Sequence, residues 1–276
     1  MSHVPATHGC EAGETPAAAI ENLRMKNLVC VLLLISASAL FAQELEISRL
    51  IDCPTAATLK HGELAAKVHL FTGGGLCVGG ETGVLPNLAV GLCYGANNLI
   101  GNSEIHWFKY PGVSVAYRFS EADGWYPAAS VGLTTQGVGP YFDPGPRKYE
   151  RFVTKAKGFW VAASNLFDVD YIGIVGAHIG VNMNPFENSD DRDLSFYLGF
   201  NKKLVAGFEA MTEYDIATND NSHRALGRGR GYWNVGVRWQ AFEHFAAEVV
   251  MRDLLTNNKL NSTPSRELRL SYQVPL

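Results

Sequence analysis

Glu209, Met211, Glu213 and Asp215 recur at two-residue spacing, and Asn234 with Arg238, Glu248 with Arg252, and Lys67 with His69 keep the same even spacing. Residues two apart on an extended chain share a face. Acids on one such segment and arginines on the next can pair across strands. The same charges can instead line a water-filled passage that selects small polar solutes. Either use places Lys67, Arg118, Glu209, Glu213, Asp215, Arg238, Glu248 and Arg252 on one interior face.

Other chemistry-bearing residues do not form a known constellation. Asp220, Ser222 and His223 share the segment 217–231, but a hydrolase needs its acid, base and nucleophile to converge from separate elements. There is no GxSxG elbow and no HExxH helix, and His61, His69, His106, His178 and His244 are scattered. Asp190, Asp191 and Asp193, with Asp215, Asn219, Asp220 and Asn221, offer oxygen ligands for calcium without EF-hand spacing, and serve equally as solvated turn residues. The expectation is a non-enzymatic chain without cofactor or metal. Arg228 and Arg230, in the GRGRG run 227–231, suit an exposed tip that meets anionic lipopolysaccharide or polysaccharide. The net charge of −4 gives no reason to expect nucleic acid.

The elements that must position these residues are strands. Leu194, Phe196, Leu198 and Phe200 alternate with Ser195, Tyr197, Gly199 and Asn201, and Trp233, Val235, Val237 and Trp239 alternate with Asn234, Gly236 and Arg238. Reading with period two gives about twelve strands. They lie near 59–71, 75–83, 87–96, 112–119, 127–135, 153–164, 171–182, 193–201, 205–216, 232–240, 244–254 and 266–276. Several reach the length that a tilted strand needs to cross an apolar layer. Connections after even strands are short (84–86, 120–126, 165–170, 202–204, 241–243), and most after odd strands are long and polar (97–111, 136–152, 183–192, 217–231, 255–265). A soluble sandwich has no reason to sort loops by parity, whereas an outer-membrane barrel has short periplasmic turns and long external loops. Trp107, Trp125, Tyr126, Trp233 and Trp239 fall at strand ends, as interfacial girdles require. The expected fold is an all-β, antiparallel up-and-down transmembrane barrel over 59–276 with both termini periplasmic.

Residues 25–42, MKNLVCVLLLISASALFA, have the basic start, apolar core and small-residue end of a secretory signal peptide. Residues 1–24 then read as an upstream extension, and 43–58 as a short N-terminal periplasmic segment. Three cysteines follow the signal: Cys53, Cys77 and Cys93. With a turn at 84–86, simple register sets Cys77 opposite Cys93, Val78 opposite Leu92 and Leu76 opposite Tyr94, so a cross-strand disulfide is expected.

The C-terminal RELRLSYQVPL, 266–276, sets Leu268, Leu270, Tyr272, Val274 and Leu276 on one face. It resembles the terminal strand of bacterial outer-membrane β-barrel proteins, which the barrel-assembly machinery recognises. That family usually ends in Phe or Trp, where this chain has Pro275-Leu276. The Gly-rich first third and GRGRGYWNVGVRW at 227–239 are faintly similar to single-barrel YjbH-like proteins, a group linked to exopolysaccharide export. The resemblance implies outer-membrane lipid and lipopolysaccharide as surroundings. It leaves open a small porin-like channel or transport-associated barrel, a structural or surface-adhesive barrel with a plugged lumen, and an outer-membrane hydrolase.

Overall fold

The alternating segments fold as strands of one closed sheet. The computed structural model describes residues 47–142, 150–187, 191–223 and 225–276, so the upstream extension, the signal segment and residues 43–46 lie outside the described residues. The strands are β1 (Glu63–Phe71), β2 (Gly75–Leu85), β3 (Leu88–Asn97), β4 (His106–Trp107), β5 (Gly112–Ser120), β6 (Ala128–Thr134), β7 (Val138–Phe142), β8 (Arg151–Thr154), β9 (Gly158–Val169), β10 (Gly173–Met183), β11 (Ser195–Lys203), β12 (Phe208–Asp215), β13 (Tyr232–Phe242), β14 (Phe245–Arg252) and β15 (Ser265–Pro275). The main sheet has 13 members; setting aside β4, a two-residue side pairing on β3, leaves twelve in the ring. β1 pairs with both β2 and β15, and β2 with β3, so no edge is left open. All ring pairings are antiparallel between neighbours in the meander, apart from the inserted β7–β8 pair, which forms its own two-stranded sheet.

The period-two pattern now has two physical environments. Leu198, Val237, Trp239, Val249, Leu268 and Tyr272 point outward and stay between 39 % and 60 % exposed. Their alternating neighbours Tyr197, Asn234, Glu248, Val250 and Glu267 are buried inside. A soluble barrel would not leave such a continuous apolar exterior unmatched. At one end lie the other short turns, with the start of β1 and the exit of β11; at the opposite end lie the short β1–β2 turn and the described parts of the connections 98–111, 135–157, 184–194, 216–231 and 253–264.

Two boundaries depart from the sequence expectation. The strand expected over 153–164 begins at Gly158 and runs to Val169. Gly158 has a positive φ of 66°, and a Cβ there would meet the Met183 carbonyl oxygen at 2.3 Å, so the chain bends at this residue. Val153 belongs instead to β8, which folds inward with β7 beneath the long loops. The β2–β3 hairpin turns on two residues, Pro86 and Asn87, with Leu85 opposite Leu88 and Asn87 at φ 64°. This turn moves the register by three residues from that expected with a turn at 84–86, and the irregularity between Gly83 and Leu85 takes one back, a net shift of two. Cys77 therefore faces Gly95, Cys93 faces Gly79, and Cys53, Cys77 and Cys93 are free thiols. The expected Cys77–Cys93 pair is thus diagonal rather than directly opposed, its thiols neighbours but unbonded.

Candidate functional site: the barrel lumen

The lumen is occupied by the chain's own N-terminal segment. Residues 47–58 do not trail outside the barrel as a periplasmic segment; they fold back into it. Arg49 bridges Pro54, the Leu50 amide donates to the Cys53 carbonyl at 3.0 Å, and the Thr55 amide donates to the Ser48 carbonyl at 3.2 Å. The result is a small hairpin with its tip at 50–53. Leu50, Ile51, Cys53, Thr55 and Ala56 are at most 1 % exposed. Apolar residues in a polar barrel interior need a dry seat, and Gly199 of β11 supplies one: a Cβ there would stand 2.3 Å from Leu50 Cδ1.

The tip is held by charge. The amides of Ile51, Asp52 and Cys53 all donate to the Glu213 carboxylate, at 3.0, 2.8 and 2.9 Å. Three successive N–H groups around one carboxylate form an anion-binding concavity, here filled by a wall residue. Asn234 Nδ2 donates to the same carboxylate at 2.8 Å. Asp52 pairs with Arg252 and, at 3.3 Å, with Arg269. Arg269 also donates to the Ile51 carbonyl. Lower in the lumen, the Ala56 amide donates to Ser164 Oγ at 2.9 Å, and Ser130 Oγ donates to the Ala56 carbonyl at 2.6 Å.

Around the hairpin the wall carries a belt of alternating charge. Register sets Glu209 opposite Arg238, Arg238 opposite Glu248, Glu248 opposite Arg269, and Arg269 opposite His69. Arg238 Nε donates to Glu248 at 2.7 Å and Nη1 lies 3.7 Å from Glu209. Glu267 meets Arg252 at 3.1 Å, Arg269 at 3.2 Å and His69 at 2.8 Å. Lys67 pairs with Glu81, and Asp215 with Lys157. Arg118 stands apart near the turn end, 3.2 Å from Glu121. Thus seven of the eight interior candidates are held in pairs or hydrogen bonds around the hairpin, and Arg118 pairs near the turn end.

Sequence reasoning left out Asp52, Lys157, Glu267 and Arg269. The last two occupy the face complementary to Leu268, Leu270 and Tyr272, so the alternation of β15 already pointed to them. Lys157 was hidden by the misplaced strand start, and Asp52 by the assignment of its segment to the periplasm.

The loop end is closed by β7–β8 and the long loops. Phe152 packs edge-on to Phe108 at 5.2 Å and Tyr141 at 4.9 Å, and Phe108 stacks on Phe71 at 6.2 Å. Arg151, wholly buried, forks onto Asp220 at 2.6 and 3.1 Å, and Tyr232 Oη donates to Asp220 at 2.8 Å. Asp191 accepts the amides of Asn221 and Ser222 at 2.9 and 3.0 Å. These acids are engaged by the fold; Asp190 lies outside the described residues, and among the described residues no acid or histidine cluster could hold a metal. Burial raises the Glu187 carboxyl to about 7, and burial with Arg151 nearby lowers the Lys155 ammonium to about 8. Arg228 and Arg230 are exposed at their tip, whose backbone is pinned by Asn257 at 3.0 and 2.8 Å.

Two cavities remain. One, of about 190 Å³, lies between the hairpin and the wall, beside Arg49, Lys67, Glu81, Arg238 and Glu248. The other, of about 260 Å³, lies nearer the loops, beside Phe71, Arg252, Asp253 and Asn258. Val138 of β7 lines both.

The architecture defines an antiparallel twelve-stranded barrel with an apolar exterior and a polar, partly filled interior. No family model and no curated protein sequence matches the chain. Among solved structures, the chain is similar to the NanC porin (9 % identity, TM-score 0.45, covering 77 % of this chain and 100 % of that one). It is also similar to the outer membrane protein Omp33 of Acinetobacter baumannii (8 %, 0.41, 80 % and 100 %). A third is the outer membrane channel DcaP of the same organism (7 %, 0.29, 78 % and 96 %).

Proposed function

We propose that this chain is a bacterial outer-membrane barrel that passes small polar solutes along a path narrowed by its own N-terminal hairpin. The observation that carries this reading is a pair of cavities with charged lining, about 190 Å³ beside the hairpin and about 260 Å³ nearer the loops, which share Val138 as a common wall. The outward apolar face and closed ring suit a bilayer. In this reading the short turns and both termini face the periplasm, the long loops face outward among lipopolysaccharide, and the barrel-assembly machinery reads the strand 266–276. No catalytic role is assigned: Asp220, the acid nearest in sequence to Ser222 and His223, is held by Arg151 and Tyr232.

Single-channel recording in planar bilayers tests the proposal. The folded barrel is expected to give small, steady openings, and Val138→Trp is expected to reduce them by narrowing the shared wall. A silent barrel would overturn the channel reading. It would favour the second reading, a structural or surface-interaction barrel with a plugged lumen, for which the clamp on Glu213 and Asp52 is the specific support. The likeness to single-barrel YjbH-like proteins contributes no role to either reading.

A further inference from the structure

We propose that the cavity between hairpin and wall binds a small carboxylate-bearing anion, and that Arg49 is the residue that receives it. The inference rests on the channel reading only in that a solute must reach the cavity. The four cations lining this space are Arg49, Lys67, Arg238 and Arg269, against two carboxylates, Glu81 and Glu248. Three of the four cations are already committed: Lys67 to Glu81, Arg238 to Glu248 and Glu209, and Arg269 to Asp52 and Glu267. Arg49, half-buried on the hairpin, has no hydrogen bond or ion pair among the described residues. Arg269 Nε is a further buried donor without a partner.

The surplus is therefore one of N–H donors, held by Arg49 and Arg269. The nearby Glu81 carboxylate is already bonded to Lys67, so the Arg49 guanidinium keeps donors that an entering anion can take up. The planar fork of Arg49 matches a carboxylate through two parallel hydrogen bonds, which a spherical ion cannot use. Leu50, Leu59 and Val138 line the same space and offer an apolar flank to a short carbon chain. The volume holds several waters, so a small organic acid fits where a bulky polyanion does not.

Two measurements on the folded full-length barrel separate this inference from the channel reading. In detergent, chloride-35 NMR lines are expected to broaden with added barrel and to sharpen again when acetate competes. Arg49→Gln is expected to abolish most of that broadening, while Arg49→Lys, which keeps the charge, retains chloride broadening but weakens acetate competition. Heat-modifiable migration of each variant confirms the barrel. In a bilayer under a KCl gradient, wild type is expected to prefer chloride. A unit charge about 7 Å from an ion in water-like surroundings changes its occupancy about threefold, so removing Arg49 lowers the anion-to-cation permeability ratio by about sevenfold. Equal broadening in wild type and Arg49→Gln, or chloride binding that acetate does not displace, would overturn the inference whether or not current is seen. An absence of current with acetate-sensitive broadening intact would overturn the channel reading and leave the anion site standing.

Discussion

The grip of Glu213 on the hairpin tip sets how firmly the lumen is filled, and Glu213→Gln measures it. The carboxylate accepts the amides of Ile51, Asp52 and Cys53 and the Asn234 side chain. A glutamine keeps one acceptor oxygen. If that oxygen faces the three amides, the new NH₂ faces the Asn234 NH₂, and Asn234 cannot simply flip because its Oδ1 accepts the Asp253 amide at 2.8 Å. At least one charge-assisted hydrogen bond is lost and the others become neutral, a cost of about 2–4 kcal/mol. That weakens docking by a factor of roughly 30 to 1,000. Cys53, wholly buried at the tip, is a built-in reporter. In a chain with Cys77 and Cys93 changed to Ser, maleimide labelling of Cys53 in the folded barrel is expected to accelerate about a hundredfold on Glu213→Gln, with a larger rise for Glu213→Ala. A labelling rate within twofold of the parent in both variants would refute the argument that the carboxylate holds the hairpin in place.

Three further outcomes follow from the same geometry. Asp220→Ala strands the wholly buried Arg151 guanidinium and is expected to cost about 3–5 kcal/mol, read as faster proteolysis of the loop 217–231 and a lower urea midpoint. Glu187 is an acid whose folded-state value, about 7, lies above its ordinary 4.5. The folded state thus binds more protons between these values, so its contribution is greatest below pH 4.5 and is lost as pH rises to 7. Unfolding midpoints should show this fall in wild type and a flatter profile in Glu187→Gln; identical profiles would remove Glu187 as the cause. Finally, alkylation of the denatured, unreduced protein should modify Cys53, Cys77 and Cys93 alike, and a protected Cys77–Cys93 pair would show that the two neighbouring thiols are oxidised.

The wall of this barrel was legible in the sequence because period two is a local signal. A side chain's face follows from its parity whatever its neighbours do, so the interior positions of Glu209, Glu213, Arg238 and Glu248 could be read without knowing any pairing. Register is different. It depends on where the turn falls and on bulges, and the turn at Pro86–Asn87 with the irregularity between Gly83 and Leu85 moved Cys77 from Cys93 to Gly95. The strand 158–169 was misplaced for a related reason: Phe152 and Val153 carry apolar side chains like any wall residue, but they bury them against inward-folded aromatics rather than presenting them outside.

The hairpin was illegible for a deeper reason. Ile51, Asp52 and Cys53 carry no pattern that separates a lumen segment from a periplasmic one, because what places them is complementarity to side chains some 160 residues away. Yet the wall itself held a clue. Row by row, Glu209, Arg238, Glu248 and Arg269 balance one another across neighbouring strands. Two rows higher on the same face, Glu213 faces Asn234 rather than a cation, and so demands donors from elsewhere. In a barrel too wide for wall side chains to meet across the lumen, such a charge is answered by water, by solute or by another part of the chain. Here backbone amides answer it, and the same segment brings Arg49 into the lumen as a cation without an ion pair among the described residues. The hairpin therefore both fills the barrel and sets the charge of the space it leaves, so its removal should change the ion preference of the lumen together with its width.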